Sequence, residues 1–173
     1  MTKYILSLSL LFICSLDALA GMDIDAYGLR LGYGTESGND LFSTEAMFYF
    51  DYEREWEISG SVELELKPEA SVGFIHGHSE TAGTVHLGFA GFIELDDSPL
   101  DFVFSSGPTL LTEDTFGAFE MGGHLHFTSA LGLDWEWGDD WMLGYRFQHI
   151  SNAGLRDENP GLNLHVLAIA REF

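Results

Sequence analysis

Alternation of apolar residues with polar or small ones is the feature that most limits what this chain can fold into. Between residues 27 and 34 Tyr and Leu alternate with Gly and Arg, and the same pattern recurs near 44–56, 84–95 and 140–151. A period of two places the two sets of side chains on opposite faces of a β-strand. No convincing helical period follows residue 20. The pattern therefore predicts an all-β protein.

The alternation and the turn signals between the segments predict eight strands. They lie near 23–34, 44–56, 61–76, 84–95, 99–111, 118–137, 140–151 and 162–173. Tight turns are predicted at 57–60, 96–98 and 138–139, and longer loops at 35–43, 77–83, 112–117 and 152–161. Short turns at one end and longer loops at the other are typical of outer-membrane barrels. We predict one domain, residues 21–173, folded as an eight-stranded antiparallel up-and-down transmembrane β-barrel.

The third predicted strand contains Pro68, which removes a hydrogen-bond donor from a sheet. We call the alternate residues that form the apolar face of a strand its apolar parity. One long strand with a bulge at Pro68 keeps the same apolar parity on both sides of the proline. Two short strands joined by a turn avoid the missing donor. Both arrangements are compatible with the sequence.

The parity that faces outward distinguishes a membrane barrel from a soluble one. A soluble ligand-binding barrel would have to hold the apolar parity inside, and a small barrel has too little room for so many large aromatics. Aromatic residues near the strand ends are typical of membrane-interface girdles. These residues are Tyr33, Tyr52, Trp56, Trp135, Trp137 and Trp141. We therefore expect the apolar parity to face lipid.

Residues 1–20 are predicted to be a secretory signal peptide. Lys3 precedes a short apolar core at 5–14, and Ala18 and Ala20 frame a small-x-small cleavage site. The chain's single cysteine lies in this segment, so the exported domain is expected to have no disulfide. The formal net charge of −21 argues against nucleic acid as a partner, because its phosphates would be repelled.

Two polar residues interrupt the apolar parity of the seventh predicted strand. The parity runs through Tyr145 and Phe147 and then reaches His149 and Ser151. Residues two apart share a face of a strand, so both are predicted to meet lipid, where polar groups are costly. His beside Ser is the pair that a base-activated nucleophile requires. Alternatively, both lie in the headgroup zone, where polarity costs little.

The surrounding residues resemble a known family signature. The sequence Arg-Phe-Gln-His-Ile-Ser-Asn-Ala-Gly-Leu at 146–155, followed by Asn-Pro-Gly at 159–161, is similar to that of the PagL-type lipid A 3-O-deacylases. These are eight-stranded outer-membrane barrels that hydrolyse the 3-position acyl ester of lipid A. The resemblance covers the exported chain in architecture and is specific mainly over 127–163. It implies a serine esterase.

The resemblance also implies roles for individual residues. His149 corresponds to the general base and Ser151 to the nucleophile. Asn159 falls where the family has an asparagine implicated in holding the oxyanion. Phe127 falls where the family has a functionally important phenylalanine.

One position departs from the family pattern. Where the family has the Glu of its catalytic triad, this chain has Asn163, which can orient an imidazole but cannot offset its positive charge. Asp157 or Glu158 in the loop is an alternative source of a carboxylate. Asn152 and Gly154 belong to the same motif, and we expect the amides near Gly154 to help bind the oxyanion.

The histidines outside this motif form pairs that resemble metal ligands. His76 and His78 are one pair, His124 and His126 are another, and His86 lies across a turn from the first. Imidazoles two residues apart can bind zinc, but no carboxylate-completed motif accompanies them. We expect them to line the barrel or its loops, and we predict no metal site and no cofactor.

The resulting prediction is a lipid A 3-O-deacylase in the outer membrane of a Gram-negative bacterium. Its expected partner is lipid A or lipopolysaccharide, and a homodimer is a further possible assembly. The alternative is a non-catalytic outer-membrane barrel with a structural role. In that case the missing Glu would be the cause of the lost activity.

Overall fold

The computed structural model describes residues 21–36, 39–52 and 55–173, which fold almost entirely into β-strands. The strands are β1 (Ile24–Glu36), β2 (Asn39–Phe50), β3 (Glu55–Ser59), β4 (Val62–Gly77), β5 (Glu80–Leu95), β6 (Leu100–Leu111), β7 (Thr115–Phe116), β8 (Phe119–Glu120), β9 (Leu125–Trp137), β10 (Trp141–Ser151) and β11 (Leu162–Glu172). Within these described ranges no helix is long and apolar enough to cross a membrane. The predicted signal peptide, residues 1–20, lies outside the described residues.

The strands form one antiparallel sheet that closes on itself. Neighbours follow the order β2-β1-β11-β10-β9-β6-β5-β4-β3, and β4 also pairs with β2. β2 and β3 pair with successive parts of the same edge of β4, so together they occupy one strand position. The nine strands of the sheet therefore form an eight-stranded barrel. The remaining strands, β7 and β8, form a small hairpin in the connection between β6 and β9. The predicted up-and-down barrel is confirmed.

The predicted apolar parity faces outward around the barrel. Leu31, Leu131 and Leu167 are 60%, 69% and 65% exposed. All six predicted girdle aromatics are exposed as well. An apolar exterior around a polar interior is the arrangement of a membrane-spanning barrel, whereas a soluble ligand-binding barrel requires the reverse. The protein is therefore a transmembrane barrel.

A charged network fills the interior of the barrel. Arg146 bonds to Asp134, with an Nη2–Oδ2 distance of 2.7 Å, and Arg30 pairs with Glu69. Both guanidinium groups also donate to the Tyr49 hydroxyl, at 2.9 Å from Arg30 and 3.3 Å from Arg146. All five side chains are buried, so removing one partner would leave an uncompensated charge. Through Arg146, the network therefore connects the inner face of β10 to Asp134 on β9 and to Tyr49 on β2.

Two of the four connections predicted as longer loops are short instead. The loop predicted at 35–43 is mostly strand, since only residues 37–38 separate β1 from β2. The loop predicted at 77–83 is a two-residue turn formed by His78 and Ser79, whose φ angles are 51° and 68°. Positive φ at both positions is the conformation that joins twisted hairpin strands. The polar residues around these turns continue the strands rather than ending them.

The other two connections are long. They comprise residues 112–124 between β6 and β9 and residues 152–161 between β10 and β11. The strand predicted at 118–137 is wrong at its start, because β9 begins only at Leu125. Gly122 and Gly123, with φ of 79° and 98°, turn the chain between β8 and β9. We call the end of the barrel that carries these two loops the loop end.

Pro68 does not divide its strand. It lies within β4, which is continuous from Val62 to Gly77. Pairing with β2 ends at Glu69, and pairing with β3 begins only at Glu65. Among the residues that the structure describes, the proline therefore has a strand partner on one side only, an environment in which a missing donor is tolerated.

Candidate active site

β10 presents two polar side chains on the outer wall at the loop end. His149 is exposed and Ser151, the last residue of the strand, is half-buried, while Gln148 between Phe147 and His149 points into the barrel. The structure therefore places the predicted base and nucleophile on the same outward face. Polar side chains on this face are costly unless they have a function or a partner.

A hydrogen bond fixes the orientation of the His149 ring. Asn163 on β11 lies directly opposite His149 on β10, and its Oδ1 is 2.8 Å from His149 Nδ1. An amide oxygen can only accept a hydrogen bond, so Nδ1 carries the proton. The lone pair of the neutral ring is then on Nε2. This is the tautomer that a general base requires.

The spacing along β10 lets His149 reach Ser151. Residues two apart on one face of a strand are separated by about 6.5–7 Å along its axis. An imidazole ring and a hydroxyl can close this gap by rotation about their side-chain bonds. Catalytic hydrogen bonds commonly tighten only when substrate is present.

Gly161 lies against the His149 ring, close to Cε1. Its φ is 70°, and a Cβ placed there would lie 2.6 Å from His149 Cε1. A larger residue would therefore strain the backbone and displace the imidazole. The Asn-Pro-Gly sequence thus ends in a residue whose lack of a side chain makes room for the candidate base.

Asn152 holds the two long loops together. Its side chain is fully buried, and Nδ2 lies 3.1 Å from the main-chain oxygens of Met121 and Gly122 and 2.6 Å from that of Glu158. Its Oδ1 accepts a hydrogen bond of 3.0 Å from Gly154 N. Asn152 therefore positions the backbone around Ser151.

The other predicted oxyanion residues lie in the same loop. Gly154 and the preceding Ala153 both have positive φ, 77° and 53°, so the chain turns sharply after Ser151. The Gly154 amide is already engaged by Asn152. Asn159 Oδ1 accepts a 2.9 Å hydrogen bond from Asn152 N, which leaves the Asn159 amide nitrogen as the group that can donate to an oxyanion.

Phe127 forms the apolar neighbour of the candidate nucleophile. It lies on β9 directly opposite Ser151 and is half-buried. Its ring can pack against the alkyl part of an ester bound at Ser151. The alternative carboxylates of the loop, Asp157 and Glu158, are exposed, and Glu158 contributes its main-chain oxygen to Asn152. Asn163 is the residue that contacts His149.

Asp114 organises the loop that carries Met121 and Gly122. Its carboxylate accepts hydrogen bonds from Gly123 N at 2.6 Å and from the Thr115 hydroxyl at 3.1 Å, and its main-chain oxygen accepts one from Met121 N. Burial alone would raise the pKa of Asp114, but these hydrogen bonds hold that pKa below its ordinary value. The loop therefore keeps an ionised carboxylate beside the backbone that holds Asn152.

Four of the five histidines that form the predicted pairs bond to separate partners. His76 and His86 contact the hydroxyls of Thr81 and Thr109, while His124 and His126 contact the main-chain oxygens of Leu111 and Gly123. Among the residues that the structure describes, no three His, Cys, Asp or Glu side chains are grouped to hold a metal ion.

Comparison with known protein families identifies the chain. A family model described as lipid A 3-O-deacylase (PagL) matches residues 41–171, most of the sequence. The chain belongs to the PagL family. The lipid A deacylase PagL of Bordetella bronchiseptica is 30% identical to it over 67 residues. This match covers 39% of the present chain and only 38% of the Bordetella protein.

Solved structures show the same barrel. A crystal structure of the outer membrane enzyme PagL matches with a TM-score of 0.71 at 16% identity, covering 84% of this chain and 99% of that one. Neisserial surface protein A matches with a TM-score of 0.53 at 9% identity, covering 87% of this chain and 96% of its own. At these identities the likeness concerns the fold alone. It agrees with an eight-stranded outer-membrane barrel.

The structure of this PagL-family member adds residues that sequence reasoning missed. Gly161 is part of the Asn-Pro-Gly sequence, but nothing in the sequence indicates that it contacts the His149 ring. Met121 and Gly122 reach the site through main-chain atoms, for which residue type is a poor signal. Ser129 lies opposite His149, and its break in the apolar parity of β9 could have revealed it.

Changing Asn152 to Asp is expected to destabilise the loop end. The carboxylate keeps the acceptor for Gly154 N but puts negative charge against the three main-chain oxygens that Nδ2 now contacts. Losing a buried donor set of this kind costs about 2–3 kcal/mol. Urea unfolding of the purified barrel in detergent, followed by Trp fluorescence, measures the change. Asn159→Asp is the matched control, because it retains the acceptor for Asn152 N; equal stability of the two variants would contradict this role.

Proposed function

We propose that this chain hydrolyses the 3-position acyl ester of lipid A as a serine esterase. Ser151 is the nucleophile, His149 the general base and Asn163 the residue that orients the base. The observation that carries this proposal is the 2.8 Å contact between His149 Nδ1 and Asn163 Oδ1, two residues from Ser151 on a lipid-facing wall. Family membership supports the substrate class.

In the first step Ser151 Oγ attacks the ester carbonyl carbon. His149 Nε2 takes the hydroxyl proton as the new bond forms, and the carbonyl oxygen becomes an oxyanion. The imidazolium then gives its proton to the departing sugar 3-oxygen. The products of this step are the 3-hydroxyl of lipid A and an acyl chain esterified to Ser151.

The oxyanion requires hydrogen-bond donors that are already in place. Asn159 is held beside the nucleophile by Asn152 N, and its amide nitrogen supplies one donor. Removing a single donor of this kind typically costs about 100- to 1,000-fold in kcat. Asn152, Gly154 and the turn at Ala153 keep the Asn159 side chain in position.

In the second step water releases the acyl chain. His149 takes a proton from the water as the hydroxide attacks the acyl carbonyl, and the proton passes to Ser151 Oγ when the ester bond breaks. The fatty acid leaves and the enzyme returns to its starting state. Ser, His and water balance this reaction, so the mechanism calls for no cofactor.

The position of the site suits a substrate anchored in the outer leaflet. In outer-membrane barrels the longer loops are extracellular, so the loop end meets the leaflet that holds lipopolysaccharide. The acyl esters of lipid A lie where its sugars meet the hydrocarbon. Ser151 at the end of β10 can therefore attack from the side, with Phe127 against the acyl chain. Export by residues 1–20 and a homodimer remain predictions.

Replacing Asn163 tests how the base is oriented. Asn163→Ala removes the acceptor from His149 Nδ1–H, and we expect kcat to fall about 10- to 100-fold because the wrong tautomer and ring orientations become populated. Asn163→Glu supplies the acceptor together with a negative charge that stabilises the imidazolium, so its kcat should exceed that of the wild type. Both are measured by fatty-acid release from lipid A in detergent micelles. An Ala variant as active as the wild type would contradict an orienting role.

Covalent labelling tests the proposed nucleophile directly. We expect a long-chain fluorophosphonate to react with the folded barrel at Ser151 and to leave a Ser151→Ala variant unlabelled, with the modified residue located by peptide mass spectrometry. His149→Gln should also slow labelling strongly, since the base activates the hydroxyl. Equal labelling of wild type and Ser151→Ala would reject Ser151 in favour of another nucleophile. A folded wild-type barrel that stays unlabelled would favour the non-catalytic barrel, for which the family's missing Glu is the sequence argument.

A further inference from the structure

A row of polar side chains crosses the outer wall beside the proposed active site. His149 lies opposite Asn163 on β11 and opposite Ser129 on β9, and Ser129 lies opposite Ser106 on β6. Ser106, Ser129 and His149 are exposed, and Asn163 is half-buried. The row therefore extends the candidate site sideways by two strands, away from Asn163.

This row contrasts with its surroundings. The next outward-facing row, away from the loop end, consists of Phe147, Leu131 and Phe104. These residues lie opposite one another on β10, β9 and β6 and are all exposed. Hydroxyl groups on a wall of this kind contribute no apolar contact with lipid. Polar groups in such positions are functional candidates by default.

The two serines form a pair with hydrogen-bonding capacity to spare. Ser106 Oγ and Ser129 Oγ are 3.1 Å apart, and either can be the donor. One hydroxyl hydrogen makes this bond, so the other hydrogen and several lone pairs remain for a ligand. The pair thus offers both a donor and an acceptor, which is the combination that an amide group needs.

The pair lies at a suitable distance from the proposed nucleophile. Ser151 is opposite Phe127, so Ser129 is its diagonal neighbour on the adjacent strand. Diagonal neighbours on one face of a sheet are about 7–8 Å apart. Acyl groups on adjacent carbons of a sugar ring have carbonyls only a few ångströms apart. With one carbonyl at Ser151, a single hydrogen bond covers the rest of the distance from the other carbonyl to Ser129.

We propose that Ser106 and Ser129 form a subsite for the amide-linked acyl group that neighbours the scissile ester on the same glucosamine. The oxygen of this amide accepts a hydrogen bond from a serine hydroxyl, and the N–H of the same amide donates one to a serine oxygen. This inference rests on the proposed function, because the amide is placed relative to an ester at Ser151. It assigns the serine pair a positioning role and makes the enzyme selective for diacylated glucosamine.

Two substrates that differ only at position 2 test the subsite. One is a glucosamine with an ester-linked chain at position 3 and an amide-linked chain at position 2, and the other has a free amine at position 2. We expect the Ser106→Ala/Ser129→Ala variant to lose about 3- to 10-fold more kcat/KM on the first substrate than on the second. Thr44→Ala is the matched control, because it removes an exposed hydroxyl on β2 between Leu31 and Phe74. The control should show no such difference.

A binding measurement keeps the subsite and the catalytic proposal separable. In a Ser151→Ala background, native mass spectrometry in detergent compares the affinity for the diacylated glucosamine with and without the two serine changes. Affinity should fall by a similar factor when the serines are removed. Equal losses on both substrates, or unchanged affinity, would overturn the subsite. If the wild type hydrolyses neither substrate, the proposed function fails, and the binding result alone decides the subsite.

Discussion

Replacing Ser151 with alanine is expected to lower kcat for lipid A deacylation by about 10⁴-fold or more, because the variant has no oxygen to carry the acyl group. The barrel should fold normally, since Ser151 is the last residue of β10 and faces outward. Fatty-acid release by the purified proteins in micelles measures the change. KM should change far less than kcat, because Ser151 acts in bond formation and the rest of the site still holds the substrate.

Thr44→Ala controls for the loss of an outward hydroxyl. Thr44 lies on β2, which is separated from β10 by β1 and β11 in the sheet, so this variant should retain wild-type activity. A Ser151→Ala barrel that still releases fatty acid at more than about one-tenth of the wild-type rate would remove Ser151 from the mechanism. Another nucleophile or a directly activated water would then have to be considered.

Replacing His149 with glutamine is expected to lower kcat by about 10³- to 10⁴-fold. Glutamine can keep a hydrogen bond to Asn163 Oδ1 through its amide nitrogen, but it cannot take the Ser151 proton at neutral pH. Activity that remains should increase with pH as hydroxide replaces the base. Rates measured across a pH series with purified protein separate this effect from a loss of folding.

His165→Gln is the matched control for the His149 variant. His165 is also exposed on the outer wall, two residues from Asn163, but it bonds to the Tyr145 hydroxyl at 2.7 Å and stacks against that ring. We expect this variant to keep nearly all activity. If the two histidine variants lost activity equally, the assignment of the base to His149 would lose its support.

The period of two was sufficient to predict the barrel and its lipid-facing side. Leu29 and Leu31 in β1, for example, are exposed, while Arg30 between them is buried. The same parity also predicted that His149 and Ser151 share the outer wall. These inferences succeed because the side chains of a strand alternate whatever its partners are.

The period of two could not predict features that depend on contacts between residues distant in the sequence. The start of the strand predicted at 118–137 was wrong because the apolar alternation of β9 extends back through β8, and only the backbone turn at Gly122 and Gly123 interrupts it. The role of Asn152 depends on main-chain oxygens from two loops. The interior pairing of Arg146 with Asp134 likewise follows from sheet register.

Asn163 shows how a local departure from a family pattern is understood only in the structure. The sequence left open whether the amide or a loop carboxylate faces His149. The register of β10 against β11 puts Asn163 opposite His149, and its oxygen accepts from Nδ1. The geometry needed to fix the tautomer is therefore present without the negative charge. We expect catalysis to be slower than with Glu, but not absent.

The most direct test of the account is mass spectrometry of lipid A from Gram-negative cells that express this protein, compared with cells that express Ser151→Ala. Outer-membrane fractionation and heat-dependent gel mobility establish that both barrels are inserted and folded. The account predicts that lipid A loses one 3-hydroxyacyl chain only when Ser151 is present. Unchanged lipid A with the folded wild-type barrel, or the same loss with both proteins, would contradict it.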